Sequence, residues 1–597
     1  MFSDIKFLKD GSLKINGLLD DKLRFVVNDQ LKDIKMWAKF VEPFKTKEDS
    51  DSFWRCEFFG KEMRGASLCY KYSQDEELYN ILTDACKDLL SVQEENGRIS
   101  SYPVDMEFTG WDMWGRKYVL TGLLHYYDIC KDEGFRKEII SSLSRHLDYI
   151  IAHIGPKKEG KKEITTTSSW WGCVNSCTIL EPTLALYKLT RNPRYFDFAK
   201  YIISTGGCAD CNLIELALNN KLYPYQYPVT KAYEIMSFFE GLLAFYEISR
   251  EEKYFKAVSN FIENVASTDL TLIGCSGCTH ELFDNSSIKQ SEYSEQIMQE
   301  TCVAVTWMRI SARLFFLTGD KKYLDRIEQS CLNDVYGSLN ENHEDQYNLF
   351  TKKFVKGMTF DSYSPLYDKC RGKGIGGYLE FNSGGCYGCC VAIGPAGVAL
   401  LPLMSALSSK EGLIISSFFN GTIKTIDTNG DLAFIKMSSN YPSSSSCKIS
   451  LEGRVGSKVN IYIKEPFNSS SLKINDEIVS FKDGYAYIEL KQGEDVNIFF
   501  SIQLKAHYLN NKVAFTYGNL TLAEDETKSR RDLTSPIVLP SSFGYEFVKP
   551  EKGELVRIVL NLPNKEKLLL SDYQSCGKFY NQKNNHINVW INYREAN

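Results

Sequence analysis

Two short segments concentrate thiols, a carboxylate and glycine: Glu300-Thr-Cys302 and Gly384-Gly-Cys-Tyr-Gly-Cys-Cys390. Three thiolates and one carboxylate satisfy a tetrahedral zinc ion, and a zinc-bound thiolate is deprotonated at neutral pH and able to act as a nucleophile. Adjacent Cys389 and Cys390 can face one ion only from irregular backbone, which Gly384, Gly385 and Gly388 make accessible. Glu300 and Cys302 diverge in mid-helix but can converge where a helix starts, and the apolar stretch Val303 to Leu317 is a good continuation. Val391 to Leu400 can likewise open a helix behind the second segment, whose N-terminus favours a thiolate there. Other arrangements compete. Cys208-Ala-Asp-Cys211, Cys275-Ser-Gly-Cys278 and Cys386-Tyr-Gly-Cys389 each have the spacing of half a zinc knuckle, and two halves would make a purely structural site of four thiolates. A pair of packed thiols is the plainest account of a Cys-Cys dipeptide taken alone.

The elements that must position these groups are helical. A helix rich in Leu, Tyr and Phe, a polar turn and a second amphipathic helix recur at Leu68–Leu78, Leu124–Asp132, Leu184–Tyr195, Leu242–Tyr254 and Arg313–Tyr323. The spacing, on the order of 60 residues, exceeds the roughly 34–47 of helical solenoids, so each unit can be a hairpin plus a working loop, and hairpins closing on themselves form an (α/α) toroid. After about residue 408 the texture changes to period-two segments such as Val459–Ile463 and Tyr485–Leu490, separated by Asn429-Gly430 and Asp483-Gly484. These read as β-sandwich strands. The expected division is an N-terminal strand segment at 1–20 that packs on a sandwich, a toroid over 21–408, a β-sandwich over 409–510 and a second over 511–597.

Composition excludes several function classes. The chain has 597 residues, 43% apolar and 13% aromatic, enough for a large core in several domains. A net charge of −6 with no basic stripe argues against nucleic acid as a partner. No window approaches a membrane span, and the charged N-terminal residues lack the apolar stretch of a signal peptide. The expectation is a cytoplasmic protein whose 18 cysteines are reduced.

Taken together, the motifs resemble the β-L-arabinofuranosidases of glycoside hydrolase family 127. Glu300-Thr-Cys302 with the helix after it and Leu317–Tyr323 resembles the family's Glu-Thr-Cys element, and Cys386-Tyr-Gly-Cys-Cys390 its Cys-x-x-Cys-Cys element. Trp54–Lys61, Asn96–Tyr102 and Lys512–Leu520 extend the likeness over nearly the whole chain. The resemblance implies an (α/α)6-type toroid followed by jelly-roll-like sandwiches, a Zn2+ ion held by Glu300, Cys302, Cys389 and Cys390, Cys389 as nucleophile, and Glu281 of Thr279-His-Glu-Leu-Phe283 as acid/base. It also implies retaining, exo-acting hydrolysis of plant-derived oligosaccharides.

Where the family uses histidines to hold its furanose, this chain departs. Trp111 and Tyr118 stand at two such positions, and a third falls near Glu234. With His280 and Tyr363 these are the expected substrate contacts, and the change leaves a β-L-arabinofuranoside or a related L- or deoxy-sugar as the substrate class. Two other readings stay open: a non-catalytic carbohydrate-binding protein on the same fold, and a metal-free epimerase or uronide hydrolase on a similar toroid. The sandwich domains offer a route to a homodimer.

Overall fold

The computed structural model describes residues 2–596 except 278, 294–298, 349–350, 375, 468, 530 and 581–584. Among the described residues, six helices form an inner ring: α1 (Phe58–Ser73), α2 (Asp112–Ile129), α3 (Leu180–Thr190), α4 (Ala232–Ser249), α5 (Thr301–Thr318) and α6 (Cys389–Met404). Each packs on the next, and α6 returns against α1 to close the ring. Six outer helices alternate with them: Ile34–Thr46, Glu76–Ser91, Glu133–His153, Pro193–Ser204, Glu252–Thr268 and Lys321–Ser330. This is an (α/α)6 toroid.

The two sets differ as their sequences dictate. An outer helix buries one stripe: in Glu76–Ser91 only Leu78, Leu82, Ala85, Cys86 and Leu89 are buried, at helical spacing. Its start is capped, the Asp75 carboxylate accepting from the Leu78 N–H, and Asp132, Asn192 and Asp320 cap three other outer helices in the same way. An inner helix is buried almost all round, as in α6, where every residue is buried. Close approach of α1 and α2 depends on Gly60, where a Cβ would lie 1.9 Å from the Tyr118 carbonyl oxygen. The starts of α1, α2, α4, α5 and α6 carry no side-chain cap, so their N-cap residues are free for other work.

Beyond Met404 the chain forms strands. A five-stranded and a seven-stranded sheet follow, and the N-terminal segment supplies an edge to each: Lys6–Phe7 pairs with Ala406–Ser408, and Leu13–Asn16 with Asn420–Ile426. From Leu504 onward nine strands join one hydrogen-bonded sheet. The expected boundary at 511 falls inside a hairpin turn, because Asn510 and Asn511 both take left-handed φ (49° and 59°) and join Leu504–Leu509 to Lys512–Tyr517. This last sheet bears on the site: buried Arg371 donates to the carbonyls of Cys576 (2.9 Å) and Tyr573 (3.2 Å), fixing the segment that carries Tyr363 to the rim of the ring.

Candidate active site

The uncapped rim gathers the chemistry. Glu300 is the N-cap of α5, with extended backbone, and Cys302 lies in the first turn; Gly388 is the N-cap of α6, followed directly by Cys389 and Cys390. Cys302 Sγ is 3.5 Å from Cys390 Sγ, Cys389 Sγ is 3.8 Å from Cys390 Sγ, and both adjacent sulfurs lie 3.7 Å from Glu300 Oε1. Ligands about 2.3 Å from a tetrahedral metal ion stand about 3.8 Å from one another, which these four separations match, and all four donors lie within 4.8 Å of one another. Glu300 Oε2 is buried without a hydrogen-bond partner, which a ligand carboxylate explains. Among the described residues this is the only group of acidic, His and Cys side chains that meets the geometry of an ion site.

Glycine makes the fit. A Cβ on Gly377 would sit 2.3 Å from Cys389 Sγ, and one on Gly376 would sit 1.6 Å from the Tyr363 hydroxyl. Both sulfur and hydroxyl therefore press on bare backbone. Hydrogen bonds from Cys302 and Cys390, and the Lys61 and Lys231 ammoniums, hold the Cys389 thiol well below its usual range despite burial. Burial pushes Cys302, Cys390 and Glu300 upward. In the protein alone, Cys389 is the thiol favoured as thiolate.

Glu281 faces the same rim. It stands on a left-handed turn (φ 48° at His280, 64° at Glu281) stitched to the start of α4: the Ala232 N–H donates to the Glu281 carbonyl at 3.1 Å, and the Phe283 N–H to Thr230 at 2.7 Å. Its carboxylate accepts from the Tyr363 hydroxyl at 2.6 Å and from the Lys231 ammonium. Through Tyr363, which packs on Gly376 beside the Gly377–Cys389 contact, Glu281 and the thiolates share one site.

Of the expected sugar contacts, Glu234 is buried one turn into α4, 3.9 Å from Lys231, and burial raises its carboxyl. Trp111, the N-cap of α2, lies between Trp54 (6.1 Å), Trp114 (6.0 Å) and a stacked Trp170 (6.1 Å), with its indole N–H unpartnered. Trp170 is 37% exposed, so the stack reaches solvent. Tyr118 is buried and hydrogen-bonded to the Tyr233 hydroxyl, making it floor rather than wall. His280 is exposed on its turn, outside the buried cluster.

Three charged residues of the site carry no role in the sequence reading. Lys61 Nζ lies 3.9 Å from Cys302 Sγ, 2.7 Å from Glu57 and 4.5 Å from the Tyr233 ring centroid. Burial alone would lower its ammonium, but the Cys302 and Glu57 charges outweigh that and hold it high. Glu57, also bonded by the Trp114 indole, is pushed up by burial to about 7. Lys231 completes the set at the start of α4. The Trp54–Lys61 segment already stood out as a block, and its Glu-x-x-x-Lys spacing, which puts Glu57 and Lys61 one turn apart on a helix, was the available signal.

The remaining cysteines lie elsewhere. Cys386 bonds the Tyr378 hydroxyl, outside the four-donor group. Cys275 Sγ packs behind the site on the Glu300 carbonyl at 3.3 Å, while Cys278 falls outside the described residues. Cys208 and Cys211 sit beside the turn at Gly172 and Cys173.

Stacked tryptophans beside buried carboxylates are the contacts that carbohydrate sites use. The family model for the GH127 catalytic domain of β-L-arabinofuranosidase matches residues 19–351, more than half of the 597, and the chain belongs to this family of glycoside hydrolases. A solved GH127 β-arabinofuranosidase superposes with a TM-score of 0.74 at 15% identity, covering 99% of this chain and 98% of that one. The GH127 β-L-arabinofuranosidase from Geobacillus stearothermophilus T6 gives 0.71 at 16% identity, covering 98% and 100%. No curated protein matches the sequence. Among the described residues no helix is long and apolar enough to cross a membrane.

Proposed function

We propose that the chain is a retaining exo-glycosidase that removes a β-L-arabinofuranosyl or related L- or deoxy-sugar unit from plant-derived oligosaccharides inside the cell, with Zn2+ held by Glu300, Cys302, Cys389 and Cys390. The gathering of four buried donors within 4.8 Å of one another is the observation that carries this reading. Bound there, zinc would keep the thiols deprotonated and make Cys389 a better leaving group. Cys389 Sγ attacks the anomeric carbon while Glu281 gives a proton to the departing oxygen; Glu281 then takes a proton from water as water displaces the sulfur. Tyr363 and Lys231 orient the Glu281 carboxyl through the bonds described above. Trp111 and Glu234 face the sugar.

Metal content of the reduced protein, with and without Cys390→Ser, tests the site. About one zinc per chain is expected, lost in the variant together with hydrolysis of aryl L-arabinofuranosides or related glycosides. Zinc retained in Cys390→Ser would move the ion to another cysteine set. Absence of zinc from both proteins would overturn the mechanism.

A further inference from the structure

Beneath the floor made by Trp114 and Tyr118, the ring interior carries charges that take no part in the chemistry above. Arg64 on α1 is 1% exposed, and its Nε and Nη2 have no hydrogen-bond partner among the described residues. Lys117 on α2, 3% exposed, rests on the ring faces of Trp114 (4.3 Å) and Tyr118 (4.6 Å), with no ion pair to any described carboxylate. Arg309 on α5 is the third cation, and it uses Glu240 of α4 at 3.2 Å. Arg313, one turn further along α5, takes Glu247 at 2.9 Å and Glu181 at 3.4 Å.

These groups come from five consecutive inner helices, yet they sense one another's charge. Arg64 on α1 feels Glu240 on α4 and Glu181 on α3, and Arg309 feels Arg64. Arg64 and Lys117 also lie over the same Tyr118 ring, 5.9 and 4.6 Å from its centroid, so both enter one interior. Glu240 pairs with Arg309, Glu181 and Glu247 pair with Arg313, and Lys188 also takes Glu247, which leaves Arg64 and Lys117 without an ion pair to any described carboxylate. Burying an unpaired guanidinium is strongly unfavourable, and buried charges are paired or neutralised. Burial, with Arg64 and Arg309 nearby, drives Lys117 well below its usual range, so its charge needs a counter-ion to persist. Hydroxyls of Ser67 and Thr121, one turn along α1 and α2 from Arg64 and Lys117, are also buried and unpartnered.

We propose that a small monovalent anion of the halide class, chloride being the abundant one, binds inside the ring between Arg64, Lys117 and Arg309. It supplies the missing negative charge and accepts from the orphaned donors, with Ser67 and Thr121 completing its surroundings. A single negative charge matches Arg64, the one guanidinium of the set without a described carboxylate partner. The ion ties together α1, α2 and α5, the helices that start with Glu57, Trp111 and Glu300 at the rim. The proposal does not depend on zinc or on the sugar.

The test is crystallographic. Protein purified and crystallised in bromide is expected to show an anomalous peak within contact distance of Arg64 and Lys117; an interior without that peak overturns the proposal. A second measurement follows thermal unfolding of the full chain at constant ionic strength as gluconate is replaced by chloride. A saturable rise in Tm of about 3 °C or more is expected, abolished in Arg64→Met. If Arg64→Met does not fold, the bromide peak in the unaltered protein decides alone.

Discussion

At the residue scale, the site divides into groups that a sequence can announce and groups that it cannot. Cysteine and glutamate in Glu300-Thr-Cys302 and Cys389-Cys390 were legible because few other roles call for thiols packed so densely beside glycine. Lys61 and Lys231 were not, since a lysine in sequence is by default a solvated side chain, and only the fold shows them buried against Cys302 and Glu281. Their burial yields expectations. Lys61→Met removes the cation 3.9 Å from Cys302 Sγ and should weaken metal retention by roughly 10–100-fold, the range for groups that back a metal ligand. Competition with a chelator measures this, and an unchanged affinity would show that Lys61 only fills space. Glu281→Gln should lower kcat by about 10²–10⁴ on substrates with poor leaving groups and less on activated aryl glycosides, which need no proton. Equal losses on both would remove Glu281 from the acid role.

At the scale of elements, the outer helices were readable because apolar spacing and an Asp or Asn cap coincide, as at Asp75 and Asp320. The inner helices α1, α2 and α4 hid their starts, because the N-cap positions hold Glu57, Trp111 and Lys231 rather than capping residues, whereas the starts of α5 and α6 were legible through Glu300-Thr-Cys302 and Cys389-Cys390. Buried titratable groups in the helices also set the pH dependence of folding. Asp334, in the π-helical turn Cys331–Val335, has both carboxylate oxygens without a hydrogen-bond partner, and burial raises it from 3.8 to about 7. Between those values the unfolded chain releases a proton that the folded chain keeps, so this group's stabilising contribution falls as pH rises through the window. Asp334→Asn should flatten that slope, gaining most at about pH 8 in denaturant titrations. A gain no larger at pH 8 than at pH 5 would contradict the assignment. His146, on Glu133–His153, runs the other way: burial lowers it from 6.5 to about 3, so its contribution is lost as pH falls below the upper value. His146→Gln should therefore reduce acid sensitivity between about pH 6 and 4.

On the scale of the whole molecule, the change from helices to strands near residue 408 was visible because the apolar period switches from 3.6 to 2, whereas the way α6 closes on α1 was not, being a contact between segments far apart in the chain. That closure bears on the metal donors. Cys302 and Cys390 are separated by 88 positions in the chain, and they lie on α5 and α6, the last two helices of the ring. An ion gripping both is a cross-link around a long loop, and such links stabilise chiefly by restricting the unfolded chain. Stripping the ion with a chelator should lower Tm and speed amide exchange first in α6 and its contacts with α1, with the β-sheets protected for longer. The four side chains proposed to serve catalysis would then also be the clasp of the ring, and removing one of them would loosen the architecture as well as the site.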